Sequence, residues 1–343
     1  MGLKSIKIQN FTVFEDEQIE FSSGINIVVG TNGVGKTHLL KLLYAASQAV
    51  DSRTSFSQKI VKCFLPDEYR IARLVKRQQG ANNASVKVTS CGNESKGEKT
   101  ISASFNSKTK KWDAIVKGEN AWEEQLYGMN SIFIPAKEIL SNAYNLNAAV
   151  ERNNVSFDDT YIDIINSAKV DISLGKNSKE KEKRLERIEE IIGGKVTYDA
   201  KKEEFYLRQK NKNLEFPLVA EGIRKVALLW QLVKNGTLEQ GSILFWDEPE
   251  ANINPAYISI LVELLIELQR SGVQIFVSTH DYFIAKYIDV RRNELDKISF
   301  LSLFQTENGV KCEQGDSFEE LKHNVIMETF LKLYQEEVGK AMA

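Results

Sequence analysis

The sequence predicts an α/β fold with a mixed central sheet, an antiparallel β-subdomain and a helical lobe, and three stretches predict it. Each is a short apolar run of strand length that breaks into polar residues: Ile25–Val29 before Gly30, Ser242–Trp246 before Asp247, and Val273–Val277 before Ser278. In an open α/β sheet the residues just past the strand ends form the ligand edge. The signal that gives the architecture therefore also gives the candidate site.

In chain order, Leu3–Ile8 alternates as a half-buried strand and Gln18–Phe21 reads as its hairpin partner, with Phe11 and Phe14 between them expected in the core. The run 25–29 is the next strand, and a helix is expected from Thr37 to about Val50. Periodicity then weakens, with a helical flavour at 69–75. Residues 84–117 read as a meander of three strands, Ser85–Thr89, Thr100–Phe105 and Trp112–Val116. Ser131–Ile134 is a short buried strand ended by Pro135.

Ser141–Ala168 is helical and polar, and Lys176–Glu190 is a charged helix with opposite charges at helical spacing, stopped by Gly193-Gly194. Lys195–Tyr198 and Glu204–Leu207 form a hairpin, and a helix opens at Glu221-Gly222 and runs through Val226–Trp230. After the last apolar run come a helix at 282–288, a hairpin (297–301 with 310–313) and a closing helix from Ser317. The apolar residues of that helix (Leu321, Val325, Ile326, Phe330, Leu331, Leu333, Tyr334) are expected to pack on the chain's own core.

With 343 residues and 42% hydrophobic content, the chain is long enough for one large, elaborated domain. The balance of 45 Lys+Arg against 47 Asp+Glu gives a net charge of -2, so nucleic-acid binding is left open but not indicated by charge. Arg70, Arg73, Lys76 and Arg77 form a basic stretch that reads first as a solvated helix face. Cys63, Cys91 and Cys312 form no CxxC pair, so neither zinc nor a disulfide framework is indicated and a cytoplasmic setting is expected. No apolar run approaches the ~18 residues of a membrane helix, so no membrane partner is expected.

The chemistry starts at Gly30-Thr31-Asn32-Gly33-Val34-Gly35-Lys36-Thr37, a P-loop pattern placed between a strand and a helix. The glycines at 30, 33 and 35 let backbone N–H groups turn inward around a phosphate, and the helix adds the positive end of its dipole. Asn32 and His38 border that cradle. Lys36 is expected on the β- and γ-phosphates of ATP and Thr37 on Mg²⁺. Asp247 and Glu248, in Asp-Glu-Pro-Glu at a buried strand end, fit a Walker B pair: Asp247 for Mg²⁺ and Glu248 for the attacking water. His280, one of only 3 histidines, ends the third such strand and is expected near the γ-phosphate. Catalytic roles thus fall on Glu248, His280 and Lys36.

The order of P-loop, Pro135 strand end, Gly222 helix start, Asp247-Glu248-Pro249-Glu250, Asn252-Ile253-Asn254-Pro255 and Ser278-Thr279-His280 resembles the ABC-type ATPases, specifically the RecF/SMC-like and OLD-like branch of soluble bacterial ATPases. The resemblance implies a single P-loop NTPase head over 1–343. Its nucleotide-binding core would be 1–50 and 232–343, with a β-rich insertion at 51–131 and a helical, signature-bearing lobe at 141–230. It places Lys137-Glu138 in the Q-loop region, Ala220-Glu221-Gly222 at the signature motif, Asn252–Asn254 at the D-loop and His280 as the switch histidine.

Two departures stand out: Ala220 replaces the usual signature serine, and no glutamine follows Pro135. The resemblance further implies ATP sandwiched between two copies, with Glu221 and Gly222 of one facing the P-loop of the other. That makes a homodimer or higher homo-oligomer through composite sites. Many small OLD-like ATPases serve bacterial anti-phage defence with a separately encoded effector. No Asp-x-Asp follows His280, so this chain is expected not to be a nuclease itself. The competing reading is a DNA-repair or chromosome-associated ATPase, whose relatives usually carry long coiled coils or a marked DNA surface.

Overall fold

The computed structural model describes residues 2–50, 54–77, 82–92, 97–144, 146–152, 156–171, 177–210 and 212–342. A hairpin of β1 (Leu3–Phe11) and β2 (Phe14–Glu20) precedes β3 (Ile25–Gly30), which feeds α1 (Lys36–Gln48). Then come α2 (Phe56–Phe64), β4 (Asn83–Ser90), β5 (Thr100–Asn106), β6 (Ile115–Lys117), α3 (Glu119–Leu126) and β7 (Ser131–Ile134). The middle of the chain holds α4 (Leu146–Glu151), α5 (Asp159–Lys169), α6 (Lys179–Ile192), β8 (Lys195–Asp199), β9 (Glu204–Gln209), β10 (Lys212–Glu215) and α7 (Glu221–Lys234). The last part is β11 (Ile243–Asp247), α8 (Pro255–Arg270), β12 (Gln274–Ser278), α9 (Tyr282–Arg291), β13 (Ile298–Thr306), β14 (Gly309–Gly315) and α10 (Val325–Met342).

Eleven strands share one sheet in the order β6-β5-β4-β1-β2-β14-β13-β3-β12-β11-β7, and β10-β9-β8 form a separate antiparallel sheet. The block β13-β3-β12-β11-β7 is parallel throughout. Every residue of β3, β7, β11 and β12 is buried, which is why these strands read as unbroken apolar runs: both sheet faces are covered. Ile25, Ile27 and Val29 point into one core with α7 and α8, whereas Val28 points into the other with Leu39, Leu40, Leu42 and Leu43 of α1. Each such leucine contributes about 1.5–3 kcal/mol by its burial. Register aligns Phe245 with Phe133 and with Phe276, and the rings stack across three strands at 6.4 and 5.0 Å.

Phe11 and Phe14 are fully buried, as expected. Other expectations need correction. The meander at 84–117 forms, but through β4 it pairs with β1 and so continues the main sheet as its antiparallel wing. Its third strand starts at Ile115, because Lys111 takes a φ of 42° and Asp113 N–H bonds to Lys110, keeping Trp112 in the turn. The 69–75 stretch contains 3-10 turns rather than an α-helix, and three of its four neighbouring cations pair with acids: Arg70 with Glu68, Arg73 with Asp67 and Lys76 with Glu15.

Lys176, the expected first residue of the charged helix, lies outside the described residues. The helix is α6, opened at Ser178, whose hydroxyl accepts from Lys181 N–H, and closed by Gly193. The closing helix begins at Val325 rather than Ser317. Glu313 of β14 takes the N–H groups of Lys322 and His323, and Asn324 then caps α10 by accepting from Met327 N–H. Leu321 is buried, but Phe330, Leu331, Leu333 and Tyr334 are exposed; α10 meets the core through Ile326 and Met327 and through the Phe330 ring, which stacks on Tyr282 at 4.0 Å. Among the described residues no helix is long and apolar enough to cross a membrane.

Candidate functional site

The parallel block delivers the three predicted strand ends side by side. β3 ends in the P-loop, its neighbour β12 ends at Ser278, and β11, next to β12, ends at Asp247. A cleft of about 190 Å³ at this edge is lined by Asn32, Gly33, Gly35, Lys36, Thr37, His38, Glu248 and His280. These are eight of the residues singled out from sequence.

The loop's shape follows from its glycines. Gly35 opens α1 in the left-handed region (φ 92°), and a Cβ there would stand 2.6 Å from Val13 Cγ2, so neither the conformation nor the space admits a side chain. The Lys36 ammonium donates to the carbonyls of Gly30 (2.9 Å) and Thr31 (3.0 Å) and lies 3.4 Å from His280 Nδ1. Its burial lowers the Lys36 pKa to about 8, against the pull of Glu248, Asp247 and Glu250.

Thr37 Oγ1 lies 2.9 and 3.1 Å from the Asp247 oxygens, and the same carboxylate accepts from the Ser278 hydroxyl. The hydroxyl and carboxylate converge where a P-loop protein holds Mg²⁺, an ion that takes few protein oxygens and completes its shell with phosphates and water. The residues present fit both a nucleotide triphosphate and that ion.

His280 sits between a donor and an acceptor. Lys36 can only donate, which makes Nδ1 the acceptor and leaves Nε2–H facing Glu248 Oε1 at 3.4 Å. Burial, followed by the Lys36 charge, lowers the imidazole pKa, so the ring is neutral at pH 7. Glu248 is held in the left-handed region (φ 48°), its N–H on Ser278 O and its carbonyl accepting from Lys225 Nζ at 3.3 Å. His38 turns its Nδ1 to Thr12 Oγ1 (3.1 Å) beside the Phe64 ring, and burial followed by Lys41 lowers its pKa.

Glu221 and Gly222 do not join this cleft. Gly222 packs against the Asn252 backbone, where a Cβ would come within 2.2 Å of the carbonyl oxygen, so glycine is needed there for close approach. Ala220, at the N-cap, offers no side-chain hydrogen bond to α7 and is exposed. Lys137 is exposed, whereas Glu138 is buried and turned away to Arg224 Nε (2.6 Å) and Ser141 N–H (3.1 Å). Sequence reasoning missed Lys225, Ser278 and Glu250 as parts of the site. The doubled acid in Asp-Glu-Pro-Glu was the available signal for Glu250; Lys225, three residues past Gly222, offered none.

Residues 25–285 match the profile of the family described as "AAA domain, putative AbiEii toxin, Type IV TA system". Among curated proteins, a DNA replication and repair protein RecF of Lactococcus lactis subsp. cremoris is 29% identical over 92 residues, 27% of this chain and 25% of that protein. RecF of Pediococcus pentosaceus is 22% identical over 182 residues, 48% of each. The chain thus spans at most about half the length of these relatives. The SMC head domain from Thermotoga maritima superposes with a TM-score of 0.51 at 13% identity, over 92% of this chain and 100% of that one. An SmcHead bound to the C-winged helix domain of ScpA gives 0.58 at 11%, over 91% and 97%. The fold is that of an SMC head, an ABC-ATPase-like α/β architecture.

Proposed function

The chain is a member of the AAA-domain family defined by that profile, and from that premise we propose that it is an ATP-hydrolysing switch. In this reading nucleotide-driven pairing of two copies controls a separately encoded effector, a nuclease or toxin, in bacterial anti-phage defence. The observation that carries the ATPase part is the joining of three strand ends: Thr37 on Asp247, and His280 between Lys36 and Glu248.

In the proposed reaction a water held by Glu248 and His280 attacks the γ-phosphorus in line. Its proton passes to the Glu248 carboxylate, and the bond to the β-γ bridging oxygen breaks to leave ADP and phosphate. Lys36 and the P-loop amides stabilise the charge on the phosphate oxygens. Thr37 and Asp247 would hold Mg²⁺, which would supply charge neutralisation to the triphosphate. The start of α7 at Glu221-Gly222 supplies N–H groups to the nucleotide of a second copy in this reading, which makes the site composite.

The family description names a putative AbiEii toxin and a type IV TA system, a toxin–antitoxin setting compatible with the effector-control reading. Nuclease chemistry is assigned to the partner, not to this chain. The second reading, a RecF/SMC-like repair or chromosome ATPase, is supported by the RecF relatives, whose printed role is DNA replication and repair.

The deciding experiment expresses the chain with its genomic neighbours and measures phage plating against survival of DNA damage. Protection from phage that is lost in Lys36→Ala supports effector control. Protection from damage alone, lost in the same variant, overturns it in favour of repair.

A further inference from the structure

The turn after β11 carries a second carboxylate, Glu250, that the proposed reaction does not use. We propose that Glu250 is a positioning residue for His280, acting through the backbone that presents the imidazole. Its kinetic consequences rest on the ATPase reading; its geometry does not.

The chain winds tightly after Asp247. Glu248 (φ 48°) and Asn252 (φ 64°) are both left-handed, Ala251 N–H bonds to Glu248 O, and Ile253 N–H bonds to Glu250 O. This winding brings the Glu250 carboxylate against the end of β12. There Oε1 accepts two bonds, from the Thr279 hydroxyl at 2.8 Å and from the His280 backbone N–H at 2.9 Å. Thr279 is fully buried and its Oγ1 also accepts from Asp281 N–H at 2.9 Å, while the Asp281 carboxylate caps α9 through Ile284 N–H at 2.8 Å. Residues 279–281 are therefore pinned by Glu250 on one side and by α9 on the other.

The imidazole's two polar contacts, to Lys36 and to Glu248, are both 3.4 Å, near the outer limit of a hydrogen bond. Backbone anchoring, more than the ring's own bonds, sets where it points. The other carboxylate oxygen, Oε2, is buried and has no hydrogen-bond partner among the described residues, and burial raises the carboxyl's pKa. An acid kept buried with half of its acceptors unpaired is costly. An apolar side chain would fill the space at less cost but would leave the His280 N–H without its acceptor.

The test follows the His280 imidazole resonance through a pH titration, assigned by its loss in His280→Gln. In Glu250→Gln the amide oxygen can accept both bonds, and the depressed His280 titration is retained. In Glu250→Ala it returns toward the ordinary histidine value, while His38 titrates as before. An unmoved His280 in Glu250→Ala overturns the inference.

Kinetically, Glu250→Ala lowers kcat by about 100-fold, the scale of a misplaced catalytic group, with KM little changed. In a His280→Ala background it costs nothing further, and additive losses overturn the inference. If Glu250→Ala does not fold, Thr279→Val removes one of the two donors and shifts both readouts in the same direction by less; no shift in either is the overturning result. A parent protein that turns over no ATP sinks the ATPase reading, and the titration then decides the positioning role alone.

Discussion

The P-loop edge and the start of α7 are built in opposite ways. At the P-loop edge the side chains satisfy one another: Lys36 with two carbonyls, Thr37 with Asp247, His280 with Lys36 and Glu248. At the start of α7 the N-cap alanine accepts nothing, and the one tight feature, Gly222 on Asn252, is a backbone contact within the chain. In the first region the named side chains are bonded to one another. The second leaves the first-turn N–H groups of a 14-residue helix without a side-chain acceptor at the N-cap.

The sharpest way to break this comparison is at Glu248. Glu248→Gln is expected to lower ATP turnover by about 10²–10⁴-fold while nucleotide-bound assemblies accumulate, read by phosphate release and light scattering. Turnover at the parent rate would remove Glu248 from its role. Gly222→Ala tests the other region. The added Cβ meets the Asn252 carbonyl at 2.2 Å, so the helix start must shift, at about 1–3 kcal/mol in stability. Nucleotide affinity of the single chain should hold, by calorimetry, while nucleotide-driven assembly falls at least about tenfold, the equivalent of 1.4 kcal/mol. Intact assembly would break the two-region reading.

A smaller effect comes from Lys36, whose pKa is lowered to about 8. A bound triphosphate pulls that pKa back up, so the complex holds more protons than the free protein above pH 8. Affinity for ATP is then expected to fall with rising pH from about 8, by up to about tenfold per unit. Calorimetry at pH 8.5 in buffers of different ionisation heat should show proton uptake; no uptake would place Lys36 away from the phosphates. The smallest effect is Ala220→Ser, which supplies the missing N-cap oxygen. It should raise thermal stability by about 1 kcal/mol, seen as a higher Tm, and should leave turnover close to that of the parent.

The parts of this molecule legible in the sequence were those with a local signature. Three fully buried strands, each stopping at polar residues, announced both the parallel block and its edge, because burial on two faces forces an unbroken apolar run. What stayed hidden depends on pairs far apart in the chain. Nothing local tells Val86 that it lies opposite Ile8, which is why the meander read as an appendage when it is a wing of the main sheet. Glu138 looked like a site residue beyond a strand end, yet Arg224 claims it. The amphipathic pattern of α10 was real, but a pattern states that an apolar face exists, not that the chain itself covers it.

The strand that carries the P-loop has a consequence for how the protein is made. β3 ends at residue 30, but both of its neighbours come from the far end of the chain, β12 from Gln274–Ser278 and β13 from Ile298–Thr306. At about 5–20 residues per second on the ribosome, roughly 15 to 55 s separate synthesis of the loop from synthesis of the strands that hold it. During that interval the nascent chain carries the phosphate-binding sequence without the sheet that shapes it, since such long-range pairing forms late. A message broken before residue 274 yields a product that has the P-loop but neither of the two strands that flank β3.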